Sequence, residues 1–295
     1  MDMPVMYAYI GEGLVDEITE FFQDGLIGCA ENIYEVWNAC VTTAQDLITV
    51  TPYNYANGAG WNAMLGVRLS FVAIGTSLLT MFFLIGFIRE SINIRQELTV
   101  NQIVKLFFRL IFGNALISSS LMICRQVFTS MAAFGGLIST RYTDLEMADG
   151  YVNAVSDANI AEAIMGMLVA VIAIIVSLAL GGTLLYVMYF RFYRLIIITP
   201  IAPIAFSTVA GGSGIAQTAV SYLKALLSFS GEVVLIALAL NLSSAILNGG
   251  FSFGTYTSNT MMKLIIYPAE AILNMAVVVG SVKGAEPLLR RIANL

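Results

Sequence analysis

Long apolar runs separated by short charged stretches set the pattern of this chain. Residues 65–88 (LGVRLSFVAIGTSLLTMFFLIGFI), about 110–138, and 163–190 (AIMGMLVAVIAIIVSLALGGTLLYVMYF) are three such runs. Each supplies the ~20 predominantly apolar residues that a helix needs to cross a bilayer. Two further runs are shorter or flawed: about 229–247, and 264–282, which contains Pro268 and Glu270. A sixth, LIIITPIAPIAFSTVA at 195–210, is interrupted by Pro200 and Pro203. Each proline removes a backbone donor and disfavours helix at the residue before it. The pattern predicts an all-α polytopic membrane protein with five crossings, the proline-broken run forming a re-entrant or interfacial element. Irregular backbone at membrane depth is tolerated only where protein or a water-filled cavity covers it. The broken element is therefore expected to face a bundle interior or a central axis.

The first 60 residues are too charged to span but are patterned. Leu14, Ile18, Phe21 and Phe22 form one apolar face, with Asp16, Glu17, Glu20 and Asp24 opposite. After Gly25, apolar positions recur at Leu26, Ala30, Ile33, Trp37, Cys40, Ala44 and Leu47, alternating steps of four and three as a heptad seam does. A helix ending near residues 51–52 is expected, with Tyr53, Tyr55 and Trp61 marking a membrane interface. Residues 1–60 thus read as an extracytoplasmic acidic helical region and 61–295 as the transmembrane bundle. Two readings of the seam stay open: a collar that packs against copies of itself or a partner, or a hairpin folded onto the protein's own outer face. Adsorption to lipid fits less well, because an acidic helix is repelled by an anionic surface.

Composition narrows the class. Of 295 residues, 58% are hydrophobic and only 11% charged, with a mean hydropathy of +0.84. A soluble domain carries about 25% charge, so a soluble globular enzyme is excluded. The absence of histidine removes the commonest acid–base and metal-binding side chain. Cys29, Cys40 and Cys124 form no CxxC pair, and no cofactor or metal site is expected. If one helix holds Cys29 and Cys40, they lie about three turns apart, too far to bridge. The start, MDMPVMYAYIGEG, lacks the basic region and uninterrupted apolar core of a signal peptide.

Charge placement then orients the chain. Residues 1–67 hold nine acids (Asp2, Glu12, Asp16, Glu17, Glu20, Asp24, Glu31, Glu35, Asp46) and no Lys or Arg. The loop 89–109 carries Arg89, Arg95, Lys105 and Arg109 against Glu90 and Glu97, and 139–162 is acidic again apart from Arg141. Arg191 and Arg194 follow the third run, and the tail carries Lys283, Arg290 and Arg291 against Glu286. By the positive-inside rule the N-terminus lies outside and the C-terminus inside the plasma (cytoplasmic) membrane, which requires an odd number of crossings.

Within the spans the charges expected at membrane depth are Arg68, Arg125 and Glu270. Counting at ~1.5 Å per residue places Arg125 and Glu270 at matching depth in the outer third of a ~30 Å core, with Arg68 close to that level. Such groups tend to pair. An Arg125–Glu270 pair is expected, with Arg68 as the competing partner, either lining a polar conduit or locking helices together. Ala276, Gly280 and Gly284 form a small-xxx-small ridge suited to close helix contact. GGSG at 211–214 lacks the GK[ST] ending of a phosphate loop and reads as a joint, with Gly211 and Gly212 closing the broken segment. A separate helix over about 215–230, containing Lys224, is expected on the inner surface.

The acidic helical N-terminus, about five spans, and the basic pair leading into a proline-broken run (RFYRLIIITPIAPIAF, 191–206) coincide with a Gly-rich break and two more spans. From about residue 60 onward this resembles the TrbL-type polytopic membrane components of type IV secretion and conjugation systems, in the version found on Gram-positive integrative conjugative elements. The compact length and short middle loop depart from larger relatives. The resemblance implies a homo-oligomer, pentameric in related machines, at the base of an export channel. It also implies a platform for a stalk or pilus subunit and a route for single-stranded DNA with its relaxase. Separate ATPases would supply the energy. The competing class is a small-solute transporter or channel, which broken helices beside a binding site would suit. Against it, the halves show no inverted repeat.

Overall fold

The computed structural model describes residues 3–92, 100–139, 144–212, 214–248 and 257–292. Side chains of Glu12 and Glu90, and all of Asp2, Arg95, Glu97, Arg141 and Ser213, lie outside that description. Among the described residues the chain is all-α: α1 Met3–Thr49, α2 Ala59–Ile92, α3 Val100–Ile138, α4 Asp149–Ser156, α5 Ile160–Ile198, α6 Ala202–Ser207, α7 Gln217–Asn248 and α8 Thr260–Ile292. Five stretches are long and apolar enough to cross a membrane: Tyr55–Arg89, Ile103–Ile138, Ile160–Gly211, Gln217–Ser243 and Thr260–Arg291. The chain is a multi-pass membrane protein, and each span expected from hydropathy has its helix.

Local chemistry explains the element ends. Asn159 caps α5: its Oδ1 accepts from the amides of Ala161 and Glu162 at 3.1 Å, while the Glu162 carboxylate accepts the Asn159 amide at 3.1 Å. This reciprocal box satisfies donors that the first helical turn otherwise leaves free. Asn259 caps α8 through the Met261 amide at 3.0 Å. Helix α1 stops just before Pro52, and the chain turns through Ala56, Asn57 and Gly58, all at positive φ (49°, 53° and 75°). Left-handed backbone suits Asn and Gly but costs about 1 kcal/mol at Ala56.

The chain folds as two compact units, each built from segments distant in sequence. In the first (Met1–Asp46, Thr140–Val187, Ala239–Lys283), α1 runs beside the third span. A Cβ built on Gly25 would lie 3.2 Å from Met167, one on Gly166 would lie 3.3 Å from Leu26, and one on Gly181 would lie 2.8 Å from Cys40 Sγ. Ser177 donates to the Ile33 carbonyl at 3.3 Å. Residues 25–40 thus advance with 166–181, in parallel. Gly25 does not break α1 into a hairpin: the helix runs on through it, with Met167 packed close by. The acidic loop is tied on by Asn38, which exchanges two 3.0 Å hydrogen bonds with the backbone of Leu145. Leu26, Ala30, Ala154, Ala163, Leu264 and Tyr267 share one core.

The seam of α1 is covered by the chain's own third span. Its buried positions are Leu26, Ala30, Ile33, Trp37, Val41, Ala44 and Ile48; Cys40 and Leu47 are only half-buried. The buried set repeats at eleven residues (26, 37, 48), not seven. A straight α-helix has 3.6 residues per turn, so a strict heptad drifts off the contact face and the next residue takes the place.

The second unit (Leu47–Ser139, Met188–Leu238, Gly284–Leu295) holds α2, α3, the end of α5, α6 and the start of α7. The proline-broken run does not turn back. It continues the third span as a 3₁₀ turn at Thr199–Ile201, then α6, then a 3₁₀ turn at Thr208–Gly211, and ends where Gly212 takes φ +86°. Pro200 and Pro203 each sit in the first turn of a short helix, where a missing N–H removes no bond. This corrects the re-entrant expectation. The helix expected over about 215–230 is likewise not a separate surface element, since α7 fuses it with the fourth span in 32 residues. The seated prolines let the third span run on to Gly211, so the return crossing begins at Gln217.

Candidate functional site: the arginine-bearing bundle of the second unit

The broken segment is the packing centre of this unit. Leu195, Ala202, Ala205, Phe206 and Ala210 are buried in one core with Trp61, Leu79, Ile117, Phe128 and Leu226. Helix α2 meets it through two glycines. A Cβ on Gly75 would lie 2.8 Å from the Pro203 carbonyl oxygen, and one on Gly86 3.0 Å from that of Ala210. Carbonyls along the break find hydroxyl donors: Thr199 to Leu195 at 2.7 Å, Ser207 to Ile204 at 2.6 Å, Thr208 to Ala205 at 2.7 Å. Tyr222 of α7 donates to the Ile198 carbonyl at 3.1 Å and lies 3.6 Å from Cys124 Sγ. The break is therefore braced within the protein.

The basic pair ahead of it has two uses. Arg191, 2% exposed, donates from Nη2 to the carbonyls of Leu47 at 3.2 Å and Val50 at 3.4 Å. These belong to the end of α1, where carbonyls lack intrahelical partners. Arg194 pairs with Glu232 at 3.2 Å and with Glu286 at 2.6 Å, and Glu286 also holds Arg290 at 2.9 Å. The Arg194–Glu286 contact is a close charge pair whose N–H is not aimed along it, while the Glu232 contact is a directed hydrogen bond. Glu232 is 2% exposed, inside the fourth span. From the sequence, Arg191 and Arg194 are orienting charges and the lead-in to the proline-broken run, and Glu232 is not among the charges expected in the membrane interior. The available signal was a carboxylate three residues into an apolar run that follows an arginine pair.

The expected intramembrane charges are distributed otherwise than depth alone suggests. Glu270 belongs to the first unit, where its carboxylate acts on Tyr34. Arg125 belongs to the second, its guanidinium 4.8 Å from the Tyr53 ring centroid. Arg68 and Arg125 line one cavity of about 500 Å³ between α2 and α3, with Tyr53, Ser118, Gln126 and Thr129 and no carboxylate. Arg68 is a companion of Arg125 in that cavity. The Tyr53 and Thr129 hydroxyls share a hydrogen bond 3.0 Å long.

Of the ridge, Ala276 and Gly284 are half-buried and Gly280 is exposed, with open space where a Cβ on either glycine would sit. Among the described residues, no other part of the chain comes within 4 Å of a Cβ on Gly280 or Gly284. Gly211 and Gly212 close the broken segment as expected, with Arg109 near Gly212. The three cysteines are free, Cys29 and Cys40 on one helix. Among the described residues no cluster of acids and cysteines is placed to hold a metal ion. No family model matches the chain, and neither a curated protein nor a solved structure does.

Proposed function

We propose that the chain is a structural subunit of a conjugative type IV secretion channel in the plasma membrane. In this reading copies assemble into a ring, pentameric by the resemblance. The ring passes single-stranded DNA with its relaxase and carries a stalk or pilus subunit. The N-terminus lies outside, the C-terminus lies in the cytoplasm, and separate ATPases supply the energy. The chain itself is a conduit and not an enzyme.

The observation that carries this reading is the bracing of residues 191–206. In solute transporters a broken helix presents its unwound carbonyls to substrate or coupling ions at the midplane. Here hydroxyls of Thr199, Ser207, Thr208 and Tyr222 donate to four carbonyls along the same kind of break, and Gly75 and Gly86 bring α2 against it. That arrangement supports a scaffold element over a solute site. The open space at Gly280 and Gly284 of the Ala276–Gly280–Gly284 ridge supports assembly with further copies.

Two measurements test it. Deleting the gene from the mobile element that carries it is expected to abolish transfer of that element, with restoration by the gene in trans; undiminished transfer rejects the reading. Size-resolved purification in mild detergent is expected to yield a stable ring. A monomer with a closed midplane cavity favours the transporter instead.

A further inference from the structure

In the second unit, arginines mark two levels along the α2–α3 pair. Arg68 and Arg125 share the cavity described above. At the other end Arg89 and Arg109 converge on the turn after α6: Nη1 of Arg89 would lie 3.4 Å from a Cβ on Gly214, and Nη1 of Arg109 3.6 Å from one on Gly212. Between Arg68 and Arg89 lie the twenty uncharged residues 69–88. At ~1.5 Å per residue they span about 30 Å, the thickness of a bilayer's hydrocarbon core. Leu69, Ile74, Leu84 and Ile88 are exposed along this stretch, and the exposed hydroxyls of Thr76, Ser77 and Thr80 are returned to carbonyls of their own helix. The Arg68–Arg125 cavity therefore sits where the hydrocarbon ends and lipid phosphates begin.

The chemistry of the cavity suits a phosphate. Two guanidinium groups offer forked N–H donors matched to phosphate oxygens, and the Tyr53 ring backs the Arg125 plane at 4.8 Å. Thr129 donates to the Arg125 carbonyl at 2.8 Å, so Tyr53 is the donor in its 3.0 Å bond to Thr129. Both hydroxyl protons are thereby committed, which leaves the two guanidinium groups and the Gln126 amide as donors toward the cavity. With no carboxylate among its lining residues, two positive charges there await an anion.

We propose that this cavity is a phosphate-binding site that takes the headgroup of an anionic phospholipid, one carrying a phosphomonoester or more than one phosphate. This goes beyond the channel reading and holds whether or not the chain forms a conduit.

The test is thermal unfolding of the full chain in neutral detergent, titrated with short-chain phosphatidate, with phosphatidylcholine of the same chain length, or with inorganic phosphate. Phosphatidate is expected to raise the melting temperature saturably, phosphatidylcholine to leave it unchanged, and Arg68→Gln/Arg125→Gln to abolish the shift. An equal shift from inorganic phosphate, lost in the same variant, assigns the site to aqueous phosphate and overturns the lipid source. No shift, or one that persists in the double variant, overturns the site. If the double variant does not fold, Arg125→Lys keeps the charge but loses the fork. Its phosphatidate titration midpoint is expected to weaken about tenfold, and an unchanged midpoint is the contrary result.

Discussion

Arg191 donates to the Leu47 carbonyl across 3.2 Å, joining the third span, ahead of its proline-broken part, to the last turn of the N-terminal helix. The same Nη2 reaches Val50, so one guanidinium closes two carbonyls that α1 cannot satisfy itself. Arg191→Met leaves both open ahead of the positive-φ turn at 56–58. Amide exchange across residues 51–58 is expected to accelerate while the middle of α2 keeps its protection. Unaltered exchange there would show that Arg191 does not hold this joint.

The Arg194 cluster predicts an order of stabilities. Arg194 serves both Glu232 and Glu286, and Glu232 is 2% exposed. Removing one partner of a buried pair costs about 3–5 kcal/mol, because the remaining charge is left uncompensated. Arg194→Met strands the buried Glu232, while Glu286 keeps Arg290, so its loss of stability is expected at that level. Glu232→Gln keeps a hydrogen-bonding side chain and leaves Arg194 its Glu286 partner, so it should lose less. Comparative thermal unfolding checks the order, and a larger loss in Glu232→Gln would contradict it.

Gly75 predicts a steric effect confined to one face of α2. An added methyl meets the Pro203 carbonyl at 2.8 Å, and that atom belongs to rigid backbone. Gly75→Ala is expected to destabilise by about 1–3 kcal/mol, the usual range for overpacking. Gly66, on the same helix, has nothing within 4 Å of such a methyl. Gly66→Ala should therefore be neutral or slightly stabilising, through helix propensity. Equal effects at the two positions would mean that α2 does not press on the broken segment.

Tyr34, outside the candidate spans, carries a pH prediction. Burial, and secondarily the Glu270 carboxylate, push its phenol from 10.0 up to about 12. Below pH 10.0 both folded and unfolded states are neutral and the contribution to stability is complete. As pH rises from there toward about 12, the unfolded state ionises first and that contribution is lost. Tyrosinate absorbance of the wild type minus Tyr34→Phe should isolate a late-titrating phenol. Glu270→Gln should bring it part of the way back toward 10.0. Ionisation of Tyr34 at the ordinary value would remove the basis of the prediction.

The exposed ridge of α8 offers a test of assembly that spares the fold. Gly280 and Gly284 have open space where side chains would go. Gly280→Leu is therefore expected to leave the melting temperature of the single chain nearly unchanged and to shift the detergent-solubilised species from ring to smaller forms. A ring of unchanged size would place the contact between copies elsewhere.

Hydropathy and charge by themselves determined the class, the five spans and the all-α content, because lipid leaves a backbone only its internal hydrogen bonds and demands long apolar runs. The covalent pattern also marked Arg68 and Arg125 as unusual and bounded the N-terminal helix at Pro52. Three matters were decided by tertiary structure. The partner of the α1 seam is the chain's own third span, since a periodic face announces that something covers it but not what. The proline-broken run continues the span, because each proline falls in a first helical turn, where no donor is needed, and sequence spacing does not show where a new turn begins. Arg125 lines one cavity with Arg68 and Tyr53. Depth can be counted along one helix, but azimuth depends on how helices pack against each other, and that is a property of the folded bundle.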